Sequence, residues 1–219
     1  MPIVRKIACN GGWGAIWKVT EEFDTLCDML INGSDYRTKA LTKFTLPKRR
    51  LEYIAVRVLL QTLMQEEVEI AYHATGRPFL TNSSTNISIS HTHGYVAILL
   101  SDTHIPGIDI ERITPKALTL KERIVGPSEN AHTTEEVILH WCAKETAYKI
   151  LDAEGIDFIK DLQLFNHGSD IHTLPTNGNV GLKYNLTNGL NGTYDIDYLI
   201  TDDYIMTYSF CDRKPDFKG

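Results

Sequence analysis

No C-x-x-C pair occurs anywhere in this sequence, and its four cysteines, Cys9, Cys27, Cys142 and Cys211, are scattered. That spacing argues against a zinc ribbon or a disulfide framework and fits reduced thiols in a cytosolic protein. No apolar run approaches transmembrane length. The N-terminal stretch turns polar too early for a signal peptide. The expectation is a soluble, cytoplasmic protein that engages no membrane. An excess of positive charge is also missing. The formal net charge is -6, whereas non-specific nucleic-acid binding needs a basic surface, so no nucleic-acid partner is expected.

What is present is ordinary globular chemistry. The 219 residues are 42% hydrophobic and 23% charged, enough for one good-sized domain or two small half-domains. The charge is unevenly placed. Between Arg37 and Arg57 stand Arg37, Lys39, Lys43, Lys48, Arg49, Arg50 and Arg57, against the single acid Glu52. A basic region in an acidic protein points to a small anionic ligand.

Periodicity predicts a short helix over Glu21–Ile31 and a stronger one over Leu46–Glu67, where Leu51, Ile54, Ala55, Val58, Leu59 and Leu63 recur at helical spacing. Lys48, Arg49 and Arg50 fall in its first turn, where the helix dipole prefers acids and where a bound anion would offset the repulsion. Strands are expected at Val68–Tyr72, Asn86–His91, Tyr95–Leu100 and Ile105–Ile110, those over 86–111 forming one compact mixed sheet. Thr133 and Glu136 have capping-box spacing and open a second strong helix. After Gly155 come strands at Leu162–Phe165, Val180–Leu186, Tyr194–Ile200 and Tyr204–Phe210. The order implies an α+β fold with two similar halves meeting near residue 103.

Within Gly107-Ile108-Asp109-Ile110-Glu111, strand alternation puts Asp109 and Glu111 on one face, with Cα atoms roughly 6.5–7 Å apart. Such a pair either lines a solvated strand edge or shares a hard, oxygen-loving cation such as magnesium. On the second helix, Trp141, Glu145 and Lys149 recur at i, i+4 and i+8 and share a face. Trp141 draws that face inward, where Glu145 and Lys149 need partners. They are either an ordinary helix pair at the core margin or ligands for a metal and a phosphate. Ser90-His91 ends an alternating strand. Gly76-Arg77-Pro78 is a turn carrying a cation.

Taken in order, four pieces resemble the 4′-phosphopantetheinyl transferase family, in its larger, monomeric surfactin-synthetase-activating branch. The family pattern is G-(K/R)-P, S-I-S-H, G-(I/V)-D-I-E, then W-x-x-K-E-(A/S)-x-x-K. The sequence supplies Gly76-Arg77-Pro78, Ser88-Ile89-Ser90-His91, Gly107 to Glu111, and Trp141 to Lys149 with Thr146 at the small position. Lys48 to Glu52 with Arg57 resembles the family's basic helix start. The match spans about residues 48–151.

The resemblance implies a pseudo-twofold pair of similar α+β half-domains, 1–103 and 104–219, with the active site at their interface. It implies a monomer that moves the 4′-phosphopantetheine arm of coenzyme A to a serine of an apo acyl or peptidyl carrier protein, a holo-acyl-carrier-protein synthase. Asp109, Glu111 and Glu145 would hold magnesium. Lys149, assisted by Lys144, would meet the phosphates. Arg49, Arg50, Arg77, Pro78, Ser90 and His91 would receive the nucleotide. Glu129, beside Pro127-Ser128, or Glu145 or a metal-bound water would take the serine proton. Lys116 to Val125 offers apolar residues beside cations, as a carrier-docking surface or as a packed amphipathic helix. Two alternatives stand beside this reading. One is another magnesium-dependent phosphoryl or phosphodiester enzyme. The other is a coenzyme A binding module without catalysis.

Overall fold

The structure is a computed structural model that describes residues 3–9, 11–165 and 175–212. It is mixed α+β and divides into two compact units, Met1–Thr103 and His104–Gly219. Among the described residues, no helix is long and apolar enough to cross a membrane.

The first unit opens with a hairpin, β1 (Ile3–Cys9) and β2 (Gly12–Lys18). Three helices follow: α1 (Phe23–Asp28), α2 (Gly33–Lys43) and α3 (Pro47–Met64). Strands β3 (Ile70–Tyr72) and β4 (Pro78–Leu80) pair with each other. Strands β5 (Asn86–Thr92) and β6 (Tyr95–Ser101) join the hairpin in a four-stranded antiparallel sheet, ordered β1-β2-β6-β5. All of β6 is buried, so it reads as an apolar run rather than an alternating one. Ile54, Ala55, Val58 and Leu59 of α3 meet Trp17, Ile98 and Leu100 in the core of this unit.

The second unit begins with β7 (Ile105–Arg112). A 3-10 helix (Pro115–Leu120) and one turn of helix, α4 (Lys121–Ile124), lead to the long helix α5 (Thr134–Leu151). Strands β8 (Leu162–Phe165), β9 (Asn177–Asn185), β10 (Asn191–Ile200) and β11 (Tyr204–Cys211) complete an antiparallel sheet of five, ordered β7-β11-β10-β9-β8. The last strand therefore returns beside the first, with Thr207 opposite Asp109 and Ile205 opposite Glu111.

Thr133 and Glu136 form the reciprocal capping box that their spacing predicts, an arrangement worth about 1 kcal/mol. Helix α5 packs against the sheet on one side and against the 3-10 helix and α4 on another. Most of its circumference is buried. Any polar side chain it carries must then find a partner inside the protein.

Two expectations change. Strand β7 does not extend the β5–β6 sheet but pairs with β11, so residues 86–111 contribute to two sheets. Helix α2 was not expected from the sequence. It buries little besides Tyr36 and Ala40, one helical turn apart, which leaves only a faint apolar stripe.

Candidate functional site

Strand β7 and helix α5 meet closely because of Gly107. A Cβ there would stand 2.5 Å from the carbonyl oxygen of Thr146 and 2.6 Å from Ile150. The glycine of the G-I-D-I-E motif thus lets the helix backbone settle against the strand. Thr146, at a position where the resembled family prefers a smaller residue, is fully buried. Its hydroxyl lies 2.7 Å from that of Thr207, so the extra polar group is satisfied.

This approach brings the α5 face onto the carboxylate strand. Lys149 Nζ donates to Asp109 Oδ1 at 2.7 Å and to the carbonyl of Ile108 at 2.8 Å. Trp141 Nε1 donates to Glu111 Oε1 at 3.2 Å. Between those contacts, at the middle position of the i, i+4, i+8 series, stands Glu145. Burial, Asp109 and Glu111 raise its carboxyl, Lys149 offsets part of the rise, and the balance stands at about 7. Burial also raises the Cys142 thiol well above its ordinary value, and Asp109 adds to the rise, so it is a neutral neighbour.

Asp109, Glu111 and Glu145 are therefore electrostatic neighbours, supplied by one strand and one helix of the second unit. Among the described residues no group of three His, Cys, Asp or Glu side chains already stands as a metal cage. The chemistry of the donors nevertheless fits a hard divalent cation: all are carboxylate oxygens, and burial together with the negative charge of Asp109 and Glu111 raises the Glu145 carboxyl, a rise that a cation would offset.

Lys144 and Glu129 pair with each other. Lys144 is fully buried. Its ammonium donates to Glu129 Oε2 at 2.6 Å, to the carbonyl of Ile124 at 2.7 Å and to that of Phe158 at 2.8 Å. An ammonium has three donors, and these partners take them all. Glu129 also accepts from the backbone N–H of Gly126 at 2.6 Å and of Leu164 at 2.7 Å, and His140 Nδ1 lies 3.3 Å from Oε1. Burial would raise this carboxyl, but His140, Lys144 and the two backbone donors outweigh it and hold Glu129 at about 2. A carboxylate so well satisfied is a poor base. The pair ties α5 to β8 and to the loops around it. Sequence spacing held one clue to this: His140 and Lys144 are i and i+4 on the helix.

Beside Glu111 and Trp141 lies a groove of about 390 Å³, walled by Lys116, Ala117 and Leu120 from the 3-10 segment and by Val137 and Ile138 from α5. The segment read as either a carrier-docking surface or a packed amphipathic helix thus forms one wall. Leu118 and Leu120 are exposed apolar residues in it, with Lys116 and Arg123 exposed nearby.

The remaining expected residues are in the first unit. Arg49, in the first turn of α3, donates to Glu52 Oε2 at 3.1 Å. His91, on β5, places Nδ1 3.6 Å from the same oxygen. Glu52, not singled out as a site residue by sequence, is where these two meet. Arg50 turns the other way, donating from Nε to the carbonyl of Phe44 at 2.7 Å. Ser90 is buried in β5. Arg77 is in the turn between β3 and β4, and Pro78 starts β4 opposite Tyr72. Gly76 takes φ 88° there, a left-handed conformation that glycine adopts without strain.

No family model matches this chain, and no curated protein matches it.

Proposed function

We propose that this chain transfers the 4′-phosphopantetheine arm of coenzyme A to a serine hydroxyl of an apo carrier protein, releasing 3′,5′-ADP. The observation that supports it most is the meeting of β7 and α5. It gathers three carboxylates and a lysine, the residue types that a phosphoanhydride reaction needs, at the positions where the sequence resembles the transferase family. The finer architecture in this reading is the family's pseudo-twofold pair of half-domains in a monomer.

Asp109, Glu111 and Glu145 are the residues that would hold magnesium. When bound there, the metal supplies Lewis-acid polarisation of the pyrophosphate. Lys149 is already fixed by Asp109 and the Ile108 carbonyl. Its charge stabilises the phosphoryl oxygens as negative charge builds on them. The serine oxygen attacks the β-phosphorus, the P–O bond to the nucleotide side breaks, and the electron pair leaves with 3′,5′-ADP. The serine proton goes to a carboxylate of this cluster, and we assign it to Glu145, since Glu129 is committed to Lys144. In the first unit, Arg49, Arg50, Arg77, Pro78, Ser90 and His91 are the proposed contacts of the nucleotide. Lys116 and Arg123, with Leu118 and Leu120, are the proposed contacts of an acidic carrier helix.

The test is direct. Purified protein is incubated with magnesium, coenzyme A and several apo carrier proteins, and each carrier is weighed by mass spectrometry. A gain of one phosphopantetheine, abolished by a serine-to-alanine carrier, is the expected result. Coenzyme A cleavage with no carrier modified would replace this reading with a hydrolytic phosphodiesterase. Binding without cleavage would leave a coenzyme A module.

A further inference from the structure

We infer that Trp141 is a positioning residue for the metal carboxylate Glu111. The inference rests on the metal reading of the site, not on the identity of the acceptor.

The indole is a donor only, and its single N–H is spent on Glu111 Oε1 at 3.2 Å. The two residues are 30 positions apart and on different elements, so the contact is tertiary rather than an accident of helix spacing. The indole is itself held. Its ring packs on Phe158 with centroids 5.6 Å apart, and the backbone carbonyl of Phe158 accepts from the buried Lys144 ammonium. The Glu129–Lys144 pair therefore braces the ring that braces Glu111. A glutamate has several rotamers to lose when it binds a cation. A carboxylate already pinned through one oxygen loses fewer, which is how outer partners raise the affinity of metal ligands. Trp141 and Glu111 also line the same groove.

The experiment measures metal binding without turnover. Manganese binding to wild type and to Trp141→Phe is followed by calorimetry, with and without coenzyme A. The indole N–H resonance of Trp141 in the wild type, assigned through its own backbone, is followed while magnesium is added. The phenyl ring keeps an aromatic face toward Phe158 but has no donor. The expected result is a loss of about tenfold in metal affinity in Trp141→Phe, and a wild-type indole resonance that moves with magnesium. Unchanged metal affinity in a folded Trp141→Phe, or an indole resonance indifferent to magnesium, overturns the inference. If the variant does not fold, the wild-type resonance alone decides. A moving indole with no carrier modified would sink the proposed function and leave this inference standing. Carrier transfer with identical magnesium dependence in Trp141→Phe would do the reverse.

Discussion

Lys149 on α5 and Asp109 on β7, 40 positions apart, form an ion pair of 2.7 Å in which the lysine also reaches the carbonyl of Ile108. The side chain of Asp109 is almost wholly buried, at 5% exposure, while that of Lys149 keeps 24%. The partly exposed lysine can meet an outside anion while its ammonium stays held by Asp109 and the Ile108 carbonyl. The pair thus joins the proposed metal-binding strand to the proposed phosphate-binding helix.

Asp109→Ala and Glu145→Ala should each remove carrier modification, by roughly 10³-fold or more, because each deletes a proposed metal ligand, and such a ligand is worth several kcal/mol of transition-state stabilisation. Circular dichroism should show both variants folded. Near-normal transfer by folded Asp109→Ala would remove the metal-site assignment.

Stability without metal should fall as pH rises from 4.5 to about 7. The Glu145 carboxyl is raised from 4.5 to about 7, so the folded chain binds this proton more tightly than the unfolded chain. Its contribution is complete below 4.5 and is lost as pH rises through about 7. Melting temperatures measured from pH 5 to 8 should show that loss, Glu145→Gln should flatten it, and magnesium should restore the wild type at the upper end. A flat wild-type profile would contradict this.

Glu129→Gln should cost stability rather than chemistry. It leaves the buried Lys144 ammonium without its counter-charge, a change of about 3–5 kcal/mol. The sign with pH is opposite to that of Glu145. Because Glu129 is held at about 2, below its ordinary 4.5, its contribution is present above 4.5 and lost as pH falls toward 2. Denaturant titrations of Glu129→Gln and of Glu129→Gln with Lys144→Met should show the double variant recovering part of the loss. A Glu129→Gln protein of wild-type stability with no transfer would make Glu129 the base after all.

The two neighbouring arginines of α3 should separate. Arg50→Ala gives up the bond to the Phe44 carbonyl and should lose about 1.5 kcal/mol of stability. Arg49→Ala removes an exposed side chain paired with Glu52 and should leave stability within about 0.5 kcal/mol. Its effect should be a raised KM for coenzyme A. Equal melting and equal KM for both variants would show that neither role has been assigned correctly.

Much of the local structure was legible because local rules wrote it. The capping box at Thr133 and Glu136 needs only neighbours in sequence. The alternation of Asp109 and Glu111 follows from the strand period, and the shared face of Trp141, Glu145 and Lys149 from the helix period. Helix α2 escaped because only two of its side chains, Tyr36 and Ala40, are buried. Spacing, then, determined which side chains share a face. It did not determine what each face meets. Lys144 and Glu145 are adjacent in sequence, yet one is sealed among three acceptors while the other stands with Asp109 and Glu111. A helix turns by about 100° per residue, so neighbours point in different directions. Only the closure of β7 on α5 through Gly107, and of the loops around Lys144, decided which charge became a strut and which came to stand with Asp109 and Glu111.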